Sequence, residues 1–180
     1  KIEKIEKSFC NLEEKEKVKS LSQKKINNVS ICLIKSQSRI DWMVEKLTEI
    51  GVNEITFILS QNCERKKLNY DRLNKKIISA AKQCNSLFLP KINEIRSLDK
   101  FLDDTKNIDN KYFADLESKN NLKTYGDNLN SIMLIGPEGD FTREEKEKIK
   151  KYGFKSTTLG NQILRSETAA VIGGYLLKEF

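Results

Sequence analysis

The sequence predicts an α/β fold in which a mainly parallel β-sheet is covered by helices. From residue 29 onward, short apolar segments rich in β-branched residues alternate with segments that have helical periodicity. Two of the last predicted strands each lead through a glycine-containing loop into a helix. The chain has 180 residues, of which 38% are hydrophobic, and this is enough for one domain with a substantial core.

The first half of the chain supplies strands and two long helices. The predicted elements are strands at 1–6 and 8–12, a strand at 29–34, a helix at 39–50, a strand at 54–59 and a helix at 70–84. Gly51 follows the first helix and is expected to end it in the left-handed conformation. In the second helix the spacing predicts that Leu73, Ile77, Ile78 and Ala81 face the core.

The second half repeats the alternation with shorter elements. They are a strand at 87–95 interrupted at Pro90, a helix at 97–102, a strand at 111–116, a polar loop at 117–130, a strand at 131–135, a helix at 142–152, a strand at 154–159 and a helix at 166–180. Thr142 and Glu145 have the spacing of a capping box, and Gly153 is placed to end the same helix.

Composition excludes several classes of function. No apolar run approaches the roughly 20 residues of a membrane span, and the first residues lack the apolar segment of a signal peptide, so we expect a cytoplasmic protein without a membrane partner. The four cysteines are far apart and predict reduced thiols rather than disulfides or a metal site. The chain has no histidine, which argues against metal-dependent hydrolysis and against Ser-His-Asp chemistry.

The net charge of +7 is compatible with a nucleic-acid partner, but lysine-rich composition from an AT-rich genome would explain it equally well. Arginine is more informative because the chain has only six, and its planar fork binds phosphate bidentately. The densest basic segment, residues 65–76, faces either RNA or solvent. The six arginines are Arg39, Arg65, Arg72, Arg96, Arg143 and Arg165.

The two glycine-containing loops are the strongest indication of a ligand site. The first contains Gly136-Pro137-Glu138-Gly139, and the second begins at Gly160. Glycine permits backbone conformations that bring bare N–H and C=O groups against a flat ligand. Because both loops follow neighbouring strands, they are expected to form a crevice at one edge of the sheet. Neither loop matches the common phosphate-binding glycine motifs.

Arg165 and Glu167 are predicted to lie at the N-terminus of the last helix. The helix dipole favours Glu167 there but disfavours Arg165, which indicates that the arginine holds a phosphate or stabilises negative charge. Further along this helix, Gly173-Gly174 lowers helix propensity and predicts close packing against another element. That element belongs either to a second copy of the chain or to the same chain.

Four further segments, together with the two loops, resemble the ribosomal RNA small subunit methyltransferase E family from about residue 29 to the C-terminus. These segments are 37–39, 45–52, 63–65 and 80–84. The family belongs to the SPOUT class of S-adenosylmethionine-dependent RNA methyltransferases. Asp140, Gln162 and Asn85-Ser86 depart from its usual pattern. The resemblance divides the chain into residues 1–25, the remnant of an N-terminal PUA-like barrel with a linker, and residues 26–180, the methyltransferase domain.

The resemblance implies a C-terminal trefoil knot, a homodimer, S-adenosylmethionine as cofactor and no metal. It also implies methylation at N3 of a uridine in 16S ribosomal RNA, on the free RNA or in the small subunit. The alternatives are a 2′-O-methyltransferase of another SPOUT branch and a non-catalytic RNA-binding assembly factor.

Arg165 and Glu138 are the expected catalytic residues, and Arg39, Arg65 and Arg72 are the expected RNA-binding residues. The expected cofactor-binding residues are Leu134, Ile135, Gly136, Pro137, Glu138, Gly139, Leu159, Gly160, Ile163, Leu164 and Thr168.

Overall fold

The computed structural model describes residues 2–5, 10–13, 26–122 and 130–179. Its strands are β1 (Ile2–Ile5), β2 (Cys10–Leu12), β3 (Asn27–Cys32), β4 (Glu54–Leu59), β5 (Lys91–Ile92), β6 (Arg96–Ser97), β7 (Asn110–Ala114), β8 (Ser131–Ile135) and β9 (Lys155–Thr157). Its helices are α1 (Gln37–Ile50), α2 (Tyr70–Gln83), α3 (Leu98–Asp104), α4 (Arg143–Lys151) and α5 (Ser166–Glu179).

Strands β3 to β9 form one sheet in which every pairing is parallel. The order across the sheet is β5-β4-β3-β8-β7-β9, and β6 also pairs with β4. This confirms the predicted α/β class. Strands β1 and β2 form a separate antiparallel pair, and residues 1, 6, 8 and 9 of the predicted N-terminal strands lie outside the described residues. The assignment of residues 1–25 to a barrel stays a prediction.

The central strands are apolar on both faces because helices cover the sheet on both sides. All five residues of β8 are buried. Alternate side chains point to opposite faces of a strand. Met133 and Ile135 therefore join the core beneath α1, α2 and α5, whereas Ile132 and Leu134 join the core beneath α3 and α4. This is the continuous apolar pattern typical of a doubly covered parallel sheet.

The last part of the chain crosses back over the sheet. Strand β9 lies outside β7, whereas α5 packs on β3, β8 and α1. The connection between β9 and α5 must therefore pass the C-terminal ends of β7 and β8. This brings the loop after β9 beside the loop after β8. The trefoil knot stays a prediction, because residues 123–129 of the β7–β8 connection lie outside the described residues.

The predicted helix ends at Gly51 and Thr142 are confirmed. Gly51 has φ 82° and its N–H donates to the carbonyls of Leu47 and Thr48. Thr142 and Glu145 form the reciprocal capping box of α4. After α4, Gly153 adopts φ 85°. Local sequence therefore fixes these ends, because each depends on residues within one turn of the helix.

Three local predictions are wrong. Ile78 was expected in the core but is 45% exposed, and Ala80 occupies the buried position of α2 instead. The predicted strand at 87–95 is reduced to β5, because residues 87–89 are exposed and Pro90 has no N–H to donate to a neighbouring strand. The last strand ends at Thr157 rather than at residue 159, so Thr158 and Leu159 belong to the loop.

The glycine pair of α5 packs within the chain. A Cβ atom on Gly173 would lie 2.7 Å from Cγ of Met133, and one on Gly174 would lie 3.0 Å from Cδ2 of Leu47 and 3.1 Å from Cγ2 of Val29. Of the two alternatives for this pair, the structure supports close intrachain packing. Helix α5 also runs alongside α1, since Lys178 Nζ donates to the carbonyl oxygen of Ile50 at 2.6 Å.

Gly174→Val tests this packing. The added methyl groups would overlap Leu47 and Val29, and overpacking of this kind costs about 1–3 kcal/mol. We expect a lower free energy of unfolding in urea. Gly139→Ala serves as the control, because its Cβ would approach no closer than 3.7 Å to Asn62. Equal stability of Gly174→Val and the unmodified chain would contradict the packing.

Candidate functional site

A cavity of about 300 Å³ lies where the chain crosses the C-terminal ends of β7, β8 and β9. This volume is within the range of small-molecule sites. Its walls come from the loops after these three strands, from α1 and from the first turn of α5. The lining residues are Arg39, Ala114, Asp115, Leu116, Ile135, Gly136, Pro137, Glu138, Asp140, Thr158, Leu159, Gly160, Gln162, Ile163, Leu164, Arg165, Ser166 and Ala169.

The loop after β8 is a tight turn that requires a small residue at Gly136. The carbonyl of Pro137 accepts a hydrogen bond from the N–H of Asp140 at 3.0 Å. A Cβ atom on Gly136 would lie 3.2 Å from the ring of Phe141. Asp140 has φ 59°, a conformation that aspartate tolerates better than most residues. Aspartate therefore suits this position, where the sequence departs from the usual pattern of the family it resembles.

The loop after β9 combines a strained backbone with exposed apolar side chains. Gly160 has φ 126°, and a Cβ there would meet no atom within 4 Å, so backbone conformation rather than space disfavours other residues. Thr158 Oγ1 donates to the carbonyl of Gly160 at 2.9 Å and holds the turn. Ile163 in this loop is 83% exposed, and Leu116 in the loop after β7 is 62% exposed. These two side chains give the cavity apolar surface suited to a flat ring.

Arg39, Glu138 and Arg165 are three of the charged residues that border the cavity. Arg39 Nε lies 3.5 Å from Oε1 of Glu167, whose side chain is only 7% exposed. The second oxygen, Oε2 of Glu167, is buried and has no hydrogen-bond partner within the described ranges. Glu138 Oε1 accepts a hydrogen bond from the N–H of Lys35 at 3.3 Å. Arg165 is exposed and forms no ion pair with the residues that the structure describes.

The sequence analysis missed Lys146, which connects two walls of the cavity. Its Nζ lies 2.9 Å from Oδ1 of Asp115, at the end of β7, and 2.8 Å from Oδ2 of Asp140, after β8. The Lys146 side chain is 15% exposed. Partial burial alone would lower the pKa of Lys146, but the hydrogen bonds to Asp140 and Asp115 outweigh burial and raise it. No periodicity or motif indicates the contact with Asp115, since that residue lies 31 positions away in the sequence.

Most of the expected cofactor-binding residues line the cavity, and three do not. Leu134 is fully buried on the opposite face of the sheet, as the alternation along β8 requires. Gly139 is exposed beside Asn62, and Thr168 is half-buried in the first turn of α5. The expected catalytic residues, Glu138 and Arg165, both border the cavity.

The three expected RNA-binding arginines are distributed differently. Arg39 borders the cavity. Arg65 lies in the loop before α2, and Arg72 lies on α2 itself. Arg72 Nε donates to Oδ2 of Asp41 at 2.8 Å. Burial would raise the pKa of Asp41, but the hydrogen bonds from Arg72 and Gln37 lower it below its ordinary value.

Arg65 donates to backbone carbonyls, at 2.8 Å to Lys67 and 3.2 Å to Lys35, and to Oε1 of Gln37.

Within the described part of the chain, no group of acidic or cysteine side chains could hold a metal ion. No helix described in the structure is both long and apolar enough to cross a membrane.

Comparisons with known proteins point to a single family. Residues 21–177 match the RNA methyltransferase domain family. The chain is 36% identical over 163 residues to the ribosomal RNA small subunit methyltransferase E of Mesomycoplasma hyopneumoniae, covering 87% of this chain and 71% of that protein.

Two solved structures extend the similarity to the fold. A probable rRNA-methyltransferase from Porphyromonas gingivalis superposes with a TM-score of 0.89 at 29% identity, covering 99% of this chain and 77% of that one. The ribosomal RNA small subunit methyltransferase E of Neisseria gonorrhoeae, bound to S-adenosyl methionine, superposes with a TM-score of 0.75 at 26% identity, covering 86% of this chain and 66% of that one.

The family match covers most of the chain, and the structural similarity agrees with the parallel sheet. The chain belongs to the ribosomal RNA small subunit methyltransferase E family of RNA methyltransferases.

Proposed function

We propose that this chain transfers a methyl group from S-adenosylmethionine to N3 of a uridine in 16S ribosomal RNA. The observation that carries the proposal is the cavity between the loops after β8 and β9, with Arg165 at its border and free of ion pairs among the described residues. The Neisseria relative is bound to S-adenosyl methionine, and the curated relatives carry the small-subunit name.

The residues of the cavity fit this cofactor. The backbone around Gly136 and Gly160 is accessible to the polar edge of an adenosine, and Leu116 and Ile163 provide apolar surface for its ring. Ile135, Pro137, Leu159 and Leu164 complete the lining. S-adenosylmethionine supplies a methyl group carried on a positively charged sulfur.

The target nitrogen must lose its proton before its electron pair can accept the methyl group. The chain has no histidine to act as the base. The guanidinium of Arg165 would stabilise the uridine anion, and preorganised donors of this kind contribute much of the catalysis in many enzymes. Glu138 would accept the proton or hold the backbone of Lys35 in place.

The proposed partners are 16S ribosomal RNA, alone or in the small subunit, and a second copy of the chain, in the cytoplasm where the ribosomes are. Arg39 borders the cavity and would contact the RNA there. Residues 1–25 would belong to a PUA-like domain that adds RNA contacts.

Methyl transfer from labelled S-adenosylmethionine to 16S ribosomal RNA, followed by nucleoside analysis, tests the proposal. We expect labelled 3-methyluridine. Labelled 2′-O-methyl nucleoside would support the alternative SPOUT activity, and cofactor-independent RNA binding without any transfer would support an assembly factor.

Lys146→Met tests whether the connection between the two loops shapes the cofactor site. The change leaves Asp115, which is 4% exposed, without its cation. Loss of a hydrogen bond to a charged group costs about 1.5–3 kcal/mol, so calorimetry should show affinity for S-adenosylmethionine about 10–100-fold lower. Lys146→Arg should restore part of it. Lys150→Met, on an exposed position of the same helix, is the control. Unchanged affinity in Lys146→Met would rule out this role.

Arg165→Ala tests the proposed anion stabilisation. Single-turnover methyl transfer should fall about 10²–10³-fold, the effect typical of removing one preorganised donor. Cofactor affinity and melting temperature should change little, because Arg165 forms no ion pair within the described ranges. Arg165→Lys should recover little, since lysine lacks the planar fork. A joint fall in stability and cofactor affinity with preserved turnover would instead assign the arginine a structural role.

The proposed homodimer is supported by two exposed aromatic residues on neighbouring helices, Trp42 of α1 and Tyr175 of α5. Exposed aromatic side chains are enriched at protein interfaces. Light scattering should give twice the mass of the 20.8 kDa chain. Trp42→Glu combined with Tyr175→Glu should shift the equilibrium to the monomer because charge disfavours burial in an interface. A monomer at every concentration of the unmodified chain would refute the dimer.

A further inference from the structure

The loop before α2 and the first turns of this helix form a basic surface, defined here by Lys66, Lys67, Lys75 and Lys76. Lys66, Lys67 and Lys75 are exposed, and Lys76 is half-buried. None of the four forms an ion pair with the residues that the structure describes. Their charges are therefore available to a partner from outside the chain.

The two arginines of this region have a different role. The fork of Arg72 is directed at the buried carboxylate of Asp41 on α1. The fork of Arg65 is directed at the carbonyls of Lys35 and Lys67 and at Gln37. These contacts fasten the loop to the start of α1. They use Nε and Nη2 of Arg72 and one contact from each nitrogen of Arg65, so part of each fork is committed to the fold.

The basic surface is connected to the cavity by short hydrogen-bonded steps. Arg65 Nη1 donates to the carbonyl of Lys35, and the N–H of Lys35 donates to Glu138, which borders the cavity. The same loop also contacts the turn after β8, where Asn62 Nδ2 donates to the carbonyl of Asp140 at 3.0 Å. The loop that carries Lys66 and Lys67 therefore packs beside the turn that borders the cavity.

The surface is suited to phosphates rather than to bases. Tyr70 is the one aromatic residue among residues 60–79. It is half-buried, and its hydroxyl accepts a hydrogen bond from the N–H of Ile95 at 2.9 Å. Base stacking on exposed aromatic rings, which many single-strand binders use, is thus not provided here. Flexible lysine charges suit contacts with a phosphate backbone that do not depend on sequence.

We infer that this basic surface binds the phosphate backbone of the RNA next to the base in the cavity, with the four lysines making the contacts while Arg65 and Arg72 hold the surface in place. The inference rests on the proposed function, because it takes RNA as the substrate. It gives the path by which the strand leaves the cavity: over the loop before α2 and along α2.

The test compares two variants of equal charge. The first is Lys66→Ala/Lys67→Ala/Lys75→Ala/Lys76→Ala. The control removes four lysines from the α3 and α4 side of the sheet: Lys100→Ala/Lys106→Ala/Lys150→Ala/Lys151→Ala. Fluorescence anisotropy with a labelled single-stranded RNA of mixed sequence, at several salt concentrations, measures binding to the full chain. Calorimetry with S-adenosylmethionine measures the cofactor site separately.

A plot of log affinity against log salt concentration has a negative slope, and each lost phosphate contact on a single strand makes it shallower by about 0.7. The slope of the first variant should therefore be shallower by about 3. This variant should also bind RNA more weakly than the control and keep its affinity for the cofactor. Equal RNA binding and equal slopes in the two variants would overturn the inference. Methyl transfer failing in the unmodified chain, while the slopes still differ, would refute the proposed function but not the RNA-binding surface.

Discussion

The close packing of α5 against β3, β8 and α1 determines where the candidate site forms. Gly173 and Gly174 let the helix approach Met133, Leu47 and Val29 at distances that a side chain would prevent. This position requires the chain to return from β9 across the ends of β7 and β8. The cavity lies at this crossing, and the start of α5 brings Arg165 and Ser166 to its border.

Charged side chains then fix the walls of the cavity relative to each other. Lys146 joins the end of β7 to the loop after β8, and Arg39 joins the start of α1 to the start of α5 through Glu167. These contacts are partly buried, where removal of one partner is more costly than at the surface. Arg165 differs from these residues, because its charge is not used by any ion pair in the described part of the chain. A free guanidinium beside a cavity is consistent with a role toward a ligand rather than in the fold.

The basic residues of the α2 region also differ in their contacts. Arg65 and Arg72 contact the chain itself, whereas the neighbouring lysines face solvent. Scarcity of arginine in the sequence suggested that these forks bind RNA. The structure gives each fork a partner within the fold: Arg72 donates to Asp41 through Nε and Nη2, and Arg65 donates to Lys35, Lys67 and Gln37. The planar guanidinium holds several donors in one fixed geometry, and RNA binding by these two arginines stays a prediction.

The sequence by itself determined the fold class and the general position of the site. Alternating periodicities predicted the parallel sheet, Gly51 and the Thr142–Glu145 pair predicted helix ends, and two loops after neighbouring strands predicted a crevice. These features depend on residues close in sequence or on a general rule of parallel sheets. Resemblance to a family added the cofactor and substrate, which periodicity does not encode.

Only the tertiary structure decided which partner each residue found. The order of strands, the exposure of Ile78, the fully buried position of Leu134 and the contacts of Lys146 all depend on segments distant in the chain. The glycine pair was compatible with a second chain or with the same chain until Met133 and Leu47 were found against it. The local sequence pattern predicts which face of a helix or strand is apolar. Which other element packs on that face depends on the whole fold.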